Sequence, residues 1–277
     1  MRHSRRKDKN RREISSEATT LLEFIKSAIL LPYNFLMYMS GKKSFSHVRR
    51  PLDVMISFFT EAKFTVTIIS INVAMFIISQ FFPSRWISVL GISPVNMLEG
   101  RFYTLITAGF LHADITHLIG NMTFLFIFGR VVERKLGSSK TGMIYFGALV
   151  ISGIFSNLIF LAMGKNVLGI GASGALMGLV SAGMLLDPFY ITFFLFFPVP
   201  IMVVGWMALY SDIMGILTPI ETNIGHAAHL GGFFSISLLM YMLKEEERND
   251  LKRGLYINIF SFFMAFILLT IFRTFIR

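Results

Sequence analysis

Four polar side chains interrupt apolar segments of this sequence, where polar groups are costly and often functional. They are Ser173, His229, His117 and Asn121. A serine hydroxyl becomes a nucleophile when a general base lies within about 2.6–3.2 Å of it. His229 is the imidazole best placed for that role, because small residues around both positions allow two helices to approach closely. The sequence therefore predicts nucleophilic catalysis by Ser173 with His229 as the base.

The segment that begins at Ser173 also predicts how an oxyanion would be stabilised. Residues 173–186 form an apolar run that ends at an Asp-Pro pair. As a helix they cover about 21 Å of a hydrocarbon core about 30 Å thick, so the helix is expected to begin inside the bilayer. The amide of Ser173 would then be unpaired. His117 and Asn121 share one helix face at a similar predicted depth, so these three groups are candidate donors of an oxyanion hole.

Each of these residues also has a purely structural explanation. A serine in a membrane helix commonly bonds to the carbonyl one turn earlier, and histidine or asparagine can join two helices by hydrogen bonds. Close helix packing accounts for the glycines near Ser173 and His229 without any catalysis. The agreement of the four residues in predicted depth favours the catalytic interpretation.

Other membrane chemistries fit the sequence less well. It contains no His-Glu-x-x-His string, and no carboxylate or thiolate stands beside its histidines at metal-ligand spacing. Asp187 and Asp212 are expected at opposite membrane faces, which disfavours an aspartyl protease. We therefore expect a Ser–His dyad without an acidic third member, no metal and no cofactor. A transporter remains an open alternative, although no inverted repeat or embedded acid supports it.

The composition indicates a polytopic membrane protein. Of the 277 residues, 54% are hydrophobic and only 15% are charged, whereas soluble domains carry about 25% charged residues. The formal net charge of +10 is interpreted as a signal of membrane topology rather than of nucleic-acid binding. The absence of cysteine excludes disulfides, thiolate metal sites and a cysteine nucleophile.

Hydropathy and charge predict seven spans with a cytoplasmic N-terminus. The clusters of Lys and Arg alternate with the spans as the positive-inside rule requires, and the segment at 211–224, which contains Asp212, is placed in an outside loop. Residues 84–101 are expected to form a loop lying partly in the membrane interface. The predicted spans cover residues 64–82, 110–132, 143–163, 173–186, 191–210, 226–243 and 257–275.

Three regions follow from this topology. Residues 1–63 form a basic cytoplasmic region, disordered at 1–19 and carrying an interfacial helix at 20–39. Residues 64–243 form a catalytic core of six transmembrane helices. Residues 244–277 form a charged cytoplasmic linker and a seventh transmembrane helix. Since no cleaved secretory signal or other targeting segment is recognised, a multi-pass location in the cell membrane is expected.

Four motifs, in this order and topology, resemble those of the rhomboid family of intramembrane serine proteases. The resemblance covers the predicted six-helix core and implies an all-α polytopic fold with one additional C-terminal helix. It implies that Ser173 is the nucleophile and His229 the base. It implies that His117, Asn121 and the Ser173 amide form the oxyanion hole, and that Glu133 helps to structure a cytoplasmic turn. The motifs are His112…His117…Asn121, Glu-Arg-Lys-Leu-Gly at 133–137, Gly-Ala-Ser-Gly at 171–174 and Ala-His-Leu-Gly-Gly at 228–232.

Three positions depart from the family pattern. Tyr103 and Thr104 stand where the first loop commonly carries Trp-Arg. Met177, one turn after the serine, replaces an aromatic residue that would stack on the base. Ile236 replaces the second glycine of a Gly-x-x-x-Gly motif that begins at Gly232. None of these departures removes a proposed catalytic group.

The resemblance implies an intramembrane serine endopeptidase that cleaves transmembrane segments of other proteins. The expected partners are the lipid bilayer and single-pass transmembrane substrates whose helices unwind near the cut site, with no nucleic acid. The oligomeric state is left open. The alternative is a catalytically silent rhomboid-like protein that binds membrane helices without cutting them.

Overall fold

The computed structural model describes residues 17–81, 83–194, 197–218 and 224–275. Most of the predicted disordered tail at 1–19, and residues 219–223 of the predicted outside loop, lie outside the described residues. Two strands form an antiparallel hairpin, β1 (Ile191–Phe194) with β2 (Phe197–Pro200), and two 3₁₀ turns cover Ala108–Phe110 and Met240–Met242. The helices are α1 (Glu17–Ile29), α2 (Leu31–Met39), α3 (Phe45–Val48), α4 (Arg50–Thr60), α5 (Lys63–Ser79), α6 (Pro83–Leu90), α7 (Pro94–Leu98), α8 (Thr104–Thr107), α9 (Ile115–Leu136), α10 (Ser138–Ala162), α11 (Ser173–Leu186), α12 (Ile201–Leu217), α13 (Ile224–Leu239) and α14 (Glu245–Phe275).

Helix α11 lies at the centre of the fold. It contacts α9, α10, α12, α13 and α14, and every residue in it except Ser173 and Leu185 is buried. Five of its residues are glycine or alanine, and such small side chains let neighbouring backbones approach on several sides at once. The helix predicted to be too short to span the membrane is therefore the one around which the other helices pack.

The helices meet the requirements of a polytopic membrane protein. Among the described residues, α9, α10 and α14 are each long and apolar enough to cross a membrane. The number rises to five if two bent pairs each form one span, α1 with α2 (bent by 48°) and α4 with α5 (bent by 80°), while α11 and α12 are shorter apolar helices. The fold is all-α and polytopic, with a six-helix core of α5 and α9 to α13 and with α14 added at the C-terminal end.

The predicted fifth span is wrong at both ends. Residues 191–200 form the β1–β2 hairpin, and the helix begins only at Ile201 and continues to Leu217. Pro198 and Pro200 lack an amide hydrogen and disfavour a helix interior, while the aromatic and β-branched residues of β1 suit a strand. Because the helix starts later than predicted, Asp212 lies within α12 and not in an outside loop.

The segment predicted as an interfacial loop is largely helical. Residues 84–101 include most of α6 and all of α7, which begins with a proline and is capped by the Ser93 hydroxyl accepting the Asn96 amide at 3.1 Å. A backbone pair joins Ile92 to Gly169. This pairing holds the connection against the turn that leads into α11.

Glu133 ties α9 to the start of α5. Its carboxylate is 3% exposed and accepts the backbone amides of Phe64 at 2.9 Å and Thr65 at 3.0 Å. It also accepts the hydroxyls of Thr65 at 2.8 Å and Ser138 at 2.6 Å. A carboxylate from a distant part of the chain thus caps the first turn of α5. The structural role expected for Glu133 is confirmed.

Candidate active site

Ser173 is the first residue of α11, and the backbone leaves this end of the helix open. Gly171 turns the chain with a φ of +120°, and its amide donates to the Ala108 carbonyl at 2.9 Å. Among the described residues no side chain caps the helix, and its first internal bond runs from the Leu176 amide to the Ala172 carbonyl at 3.0 Å. The amides of the first turn, including that of Ser173, are therefore available to an anion.

His229 lies on α13, which packs directly against α11. A Cβ added at Gly232 would overlap the Gly174 carbonyl oxygen and would lie 2.9 Å from its carbon. A Cβ added at Gly174 would lie 3.8 Å from the Ala228 carbonyl oxygen. The chain neighbours of Ser173 and His229 are thus in close backbone contact, which brings both residues to one helix interface. No hydrogen bond joins their side chains among the described residues, and such bonds are often long before a substrate binds.

His117 is held at the start of α9 by two hydrogen bonds. Asp114 caps the helix, because its Oδ1 accepts the His117 amide at 2.8 Å. The Ala113 amide donates to Nδ1 of the His117 ring at 3.5 Å. A neutral ring that accepts at Nδ1 carries its hydrogen on Nε2. His117 therefore presents an N–H donor from the opposite side of its ring.

The donors predicted for the oxyanion hole converge on the turn before α11. A Cβ added at Gly171 would lie 2.9 Å from His117 Nε2 and 3.6 Å from Asn121 Nδ2. Asn121 is 8% exposed, and its Nδ2 is buried without a partner among the described residues. His117 is also near enough to His229 to interact with it electrostatically. The four residues selected from the sequence thus lie at one site.

Asp212 is the residue that sequence reasoning missed. Its carboxylate is 5% exposed, and a single oxygen, Oδ1, lies 2.7 Å from His229 Nδ1 and 2.8 Å from His226 Nδ1. The expectation that no carboxylate lies close to the base is therefore wrong. Two signals in the sequence pointed to this contact: the prolines that delay the start of α12, and the i,i+3 spacing that places His226 and His229 on one face of α13.

Asp212, His226 and His229 are also relevant to the expectation that the protein has no metal site. Ligand atoms of Asp212, His226 and His229 all lie within 4.8 Å of one another, which could hold a metal ion. The expectation that no carboxylate stands beside these histidines is wrong. The distances of 2.7 and 2.8 Å are those of hydrogen bonds, whereas ligands of a tetrahedral zinc ion lie about 3.3 Å apart. The cluster as folded is thus built by hydrogen bonding between α12 and α13.

The remaining motif positions surround the site. His112 precedes α9, is 4% exposed, and places its ring centroid 5.1 Å from that of His117. Met177 and Ile236 are both buried and belong to the hydrophobic core. Tyr103 is exposed, and its hydroxyl donates to the Val89 carbonyl at 3.2 Å. The three departures from the family pattern are therefore accommodated without opening the core.

Comparison with known proteins places the chain among rhomboid proteins. The family model of the rhomboid domain matches residues 99–246. "RHOMBOID-like protein 12, mitochondrial" of Arabidopsis thaliana is 32% identical over 183 residues, which are 58% of this chain and 52% of that protein. "Rhomboid-like protein 11, chloroplastic" of the same plant is 33% identical over 121 residues, 43% of this chain and 40% of that protein. "Putative rhomboid protease YdcA" of Bacillus subtilis (strain 168) is 35% identical over 86 residues, 31% of this chain and 41% of that protein.

The fold and the site define a helical membrane protein in which polar residues of several helices meet at the head of a short, buried central helix. The matched segment covers more than half of the chain and contains Ser173, His229, His117 and Asn121. The chain belongs to the rhomboid family. It spans about half the length, or less, of the relatives named here.

Proposed function

We propose that the protein is an intramembrane serine endopeptidase. The observation that carries this proposal is the junction of α11 and α13, where glycines bring Ser173 and His229 to one interface near Asn121, whose buried Nδ2 has no partner among the described residues. A packing role alone explains the glycines, but it does not explain a buried Asn121 amide without a partner, because such a group costs about 1–3 kcal/mol.

The proposed reaction uses the groups already described. His229 Nε2 removes the proton from the Ser173 hydroxyl, and the Ser173 oxygen attacks the scissile carbonyl. The negative charge that develops on the carbonyl oxygen is bound by the Ser173 amide, His117 Nε2–H and Asn121 Nδ2–H. The amine leaves with the proton that His229 carries. Water then enters, gives a proton to His229 and attacks the acyl carbonyl. His229 returns this proton to the Ser173 oxygen as the bond to the acyl group breaks, which frees the carboxylic acid product and restores the serine.

The proposed substrates are single-pass membrane proteins. A peptide bond in a regular helix is hidden by its own hydrogen bonds, so the substrate helix must unwind locally to reach Ser173. Glycine, alanine or serine near the cut site and other helix-weakening residues favour that unwinding. The proposed location is the cell membrane with the N-terminus in the cytoplasm, since the clusters of Lys and Arg in the sequence alternate with the predicted spans as the positive-inside rule requires.

Cleavage of a fluorogenic transmembrane substrate by the purified protein in liposomes tests this proposal. We expect the wild type to cleave it and to react with a fluorophosphonate probe. Ser173→Ala should abolish both signals. His229→Ala should lower both by at least about 10³-fold, because the serine loses its base. If the wild type neither cleaves nor reacts, the chain is instead the silent helix-binding form. If Ser173→Ala still cleaves, Ser173 is not the nucleophile and the proposed serine mechanism is wrong.

A further inference from the structure

Asp212 is a carboxylate buried inside the helical core, and such a group needs a structural or functional reason. Charged groups within membrane helices are rare, and they pair with other groups at functional sites. Asp212 is 5% exposed and points from α12 to α13, where it meets two imidazole rings. This contact is not used by the reaction as proposed above.

We propose that Asp212 is a positioning residue that orients the general base, so that the chain works with a Ser173–His229–Asp212 triad. This inference rests on the proposed function. An ionised carboxylate only accepts hydrogen bonds, so the bond of 2.7 Å to His229 places a hydrogen on Nδ1. The neutral ring then has its lone pair on Nε2, which is the atom that must accept the serine proton.

His226 makes the contact rigid. Its Nδ1 donates to the same Oδ1 at 2.8 Å, so Asp212 is held between two residues of α13. The His226 ring in turn packs against Gly215 of α12, where an added Cβ would lie 2.6 Å from its Cδ2 atom. Gly215 follows Asp212 by three residues and shares its helix face. One face of α12 is thus shaped to receive the two histidines of α13.

A structural role alone is the competing explanation. Hydrogen bonds in a low-dielectric core are strong, and removal of one partner from a buried cluster destabilises the fold whatever the chemistry. The two roles differ in what they require of each histidine. If the cluster only joins α12 to α13, the His226 and His229 bonds are equivalent. If Asp212 orients the base, only its bond to His229 affects the chemical step.

The test compares the wild type, Asp212→Asn, His226→Phe and Asp187→Asn in full-length protein in liposomes. Asp187 is the matched control, because it is an acidic residue that pairs with Lys135 at 3.1 Å and with Arg134, at the other end of α11. We measure kcat and KM for a fluorogenic transmembrane substrate, the rate of fluorophosphonate labelling, and the thermal unfolding midpoint.

We expect Asp212→Asn to lower kcat and the labelling rate by about 100-fold or more, because an amide can hold the ring in the wrong tautomer. KM should stay within about threefold, since substrate contacts are unchanged. His226→Phe should cost less than about tenfold, because the bond to His229 remains, and Asp187→Asn should match the wild type. The inference is overturned if Asp212→Asn keeps a third or more of the wild-type rate, or if His226→Phe and Asp212→Asn lose activity equally.

The tautomer of His229 gives a readout that does not need activity. In protein labelled with ¹⁵N-histidine, the His229 ring should show a protonated Nδ1 and an unprotonated Nε2, and Asp212→Asn should change that pattern. A wild type without activity but with this spectrum refutes the proposed function, while it still shows that Asp212 fixes the tautomer of His229. An active wild type whose spectrum is unaffected by Asp212→Asn refutes the positioning role and leaves the protease.

Discussion

Gly232 of α13 is the position at which one added methyl group should disturb both the packing of α13 on α11 and the geometry of the proposed catalytic pair. Its backbone lies against Gly174 of α11, so that a Cβ added at Gly232 would overlap the Gly174 carbonyl oxygen. Backbone atoms cannot rotate away as a side chain does. Gly232→Ala must therefore push α13 away from α11. Gly232 follows His229 by three residues on the same helix face, so the movement is transmitted to the base.

The size of the movement follows from the distances. The added Cβ would lie 2.9 Å from the carbonyl carbon of Gly174 and 3.3 Å from its Cα, whereas non-bonded carbon atoms prefer about 3.5–4.0 Å. The helices must therefore separate by roughly 1 Å. A displacement of that size in a catalytic pair lowers the rate by about 100-fold. Overpacking of this kind also costs about 1–3 kcal/mol of unfolding free energy, partly offset by the better helix propensity of alanine.

The assay is fluorophosphonate labelling together with cleavage of the transmembrane substrate, with thermal unfolding measured in parallel. Gly120→Ala on α9 is the matched control, because a Cβ there would meet no atom within 4 Å. Gly120→Ala should leave both rates unchanged and should not lower the midpoint, since alanine has the better helix propensity. Gly232→Ala with a labelling rate within twofold of the wild type would refute the conclusion that this glycine contact sets the distance between nucleophile and base.

Three further substitutions test other parts of the structure. Asn121→Ala should lower kcat by about 100-fold without lowering the unfolding midpoint, measured by cleavage and thermal unfolding, because its buried amide has no partner among the described residues to lose. Glu133→Gln should lower the free energy of unfolding by about 2 kcal/mol, measured by denaturant titration, because it weakens the buried cap of α5. Gly254→Ala should lower the midpoint without changing the labelling rate per folded molecule, because its Cβ would lie 2.8 Å from Leu185 Cα and force α14 away from α11. An unchanged midpoint for Gly254→Ala, or a lowered one for Asn121→Ala, would contradict these assignments.

Hydropathy was informative wherever a segment is uniformly apolar. The predicted third and fourth spans correspond to α10 and α11. The length of the fourth apolar segment alone indicates that this helix is too short to cross the membrane. It was misleading between residues 191 and 210, where strand-forming and helical residues are equally apolar. Pro198 and Pro200 decide between the two structures, because proline cannot donate within a helix. A window average does not register that difference.

The wrong bounds predicted for the fifth span also explain why the contact of Asp212 with His226 and His229 was not predicted. With a helix assigned to 191–210, Asp212 falls in an outside loop and cannot face His229. With the helix at Ile201–Leu217, the same residue lies inside the core and contacts two imidazole rings. Because the helix ends at residue 217 and not at 210, Asp212 is a buried acid and not a solvated one.

The sequence by itself determined the helical membrane fold and the candidates for the nucleophile, the base and the oxyanion-hole donors. Each of these follows from a residue type at a local spacing, and local spacing is preserved when a chain folds into helices. Only the tertiary structure decided that Asp212 meets His229, that Glu133 caps α5, and that Gly232 sets the separation of α11 and α13. These contacts join residues distant along the chain, and their geometry depends on how whole helices pack, which no local pattern specifies.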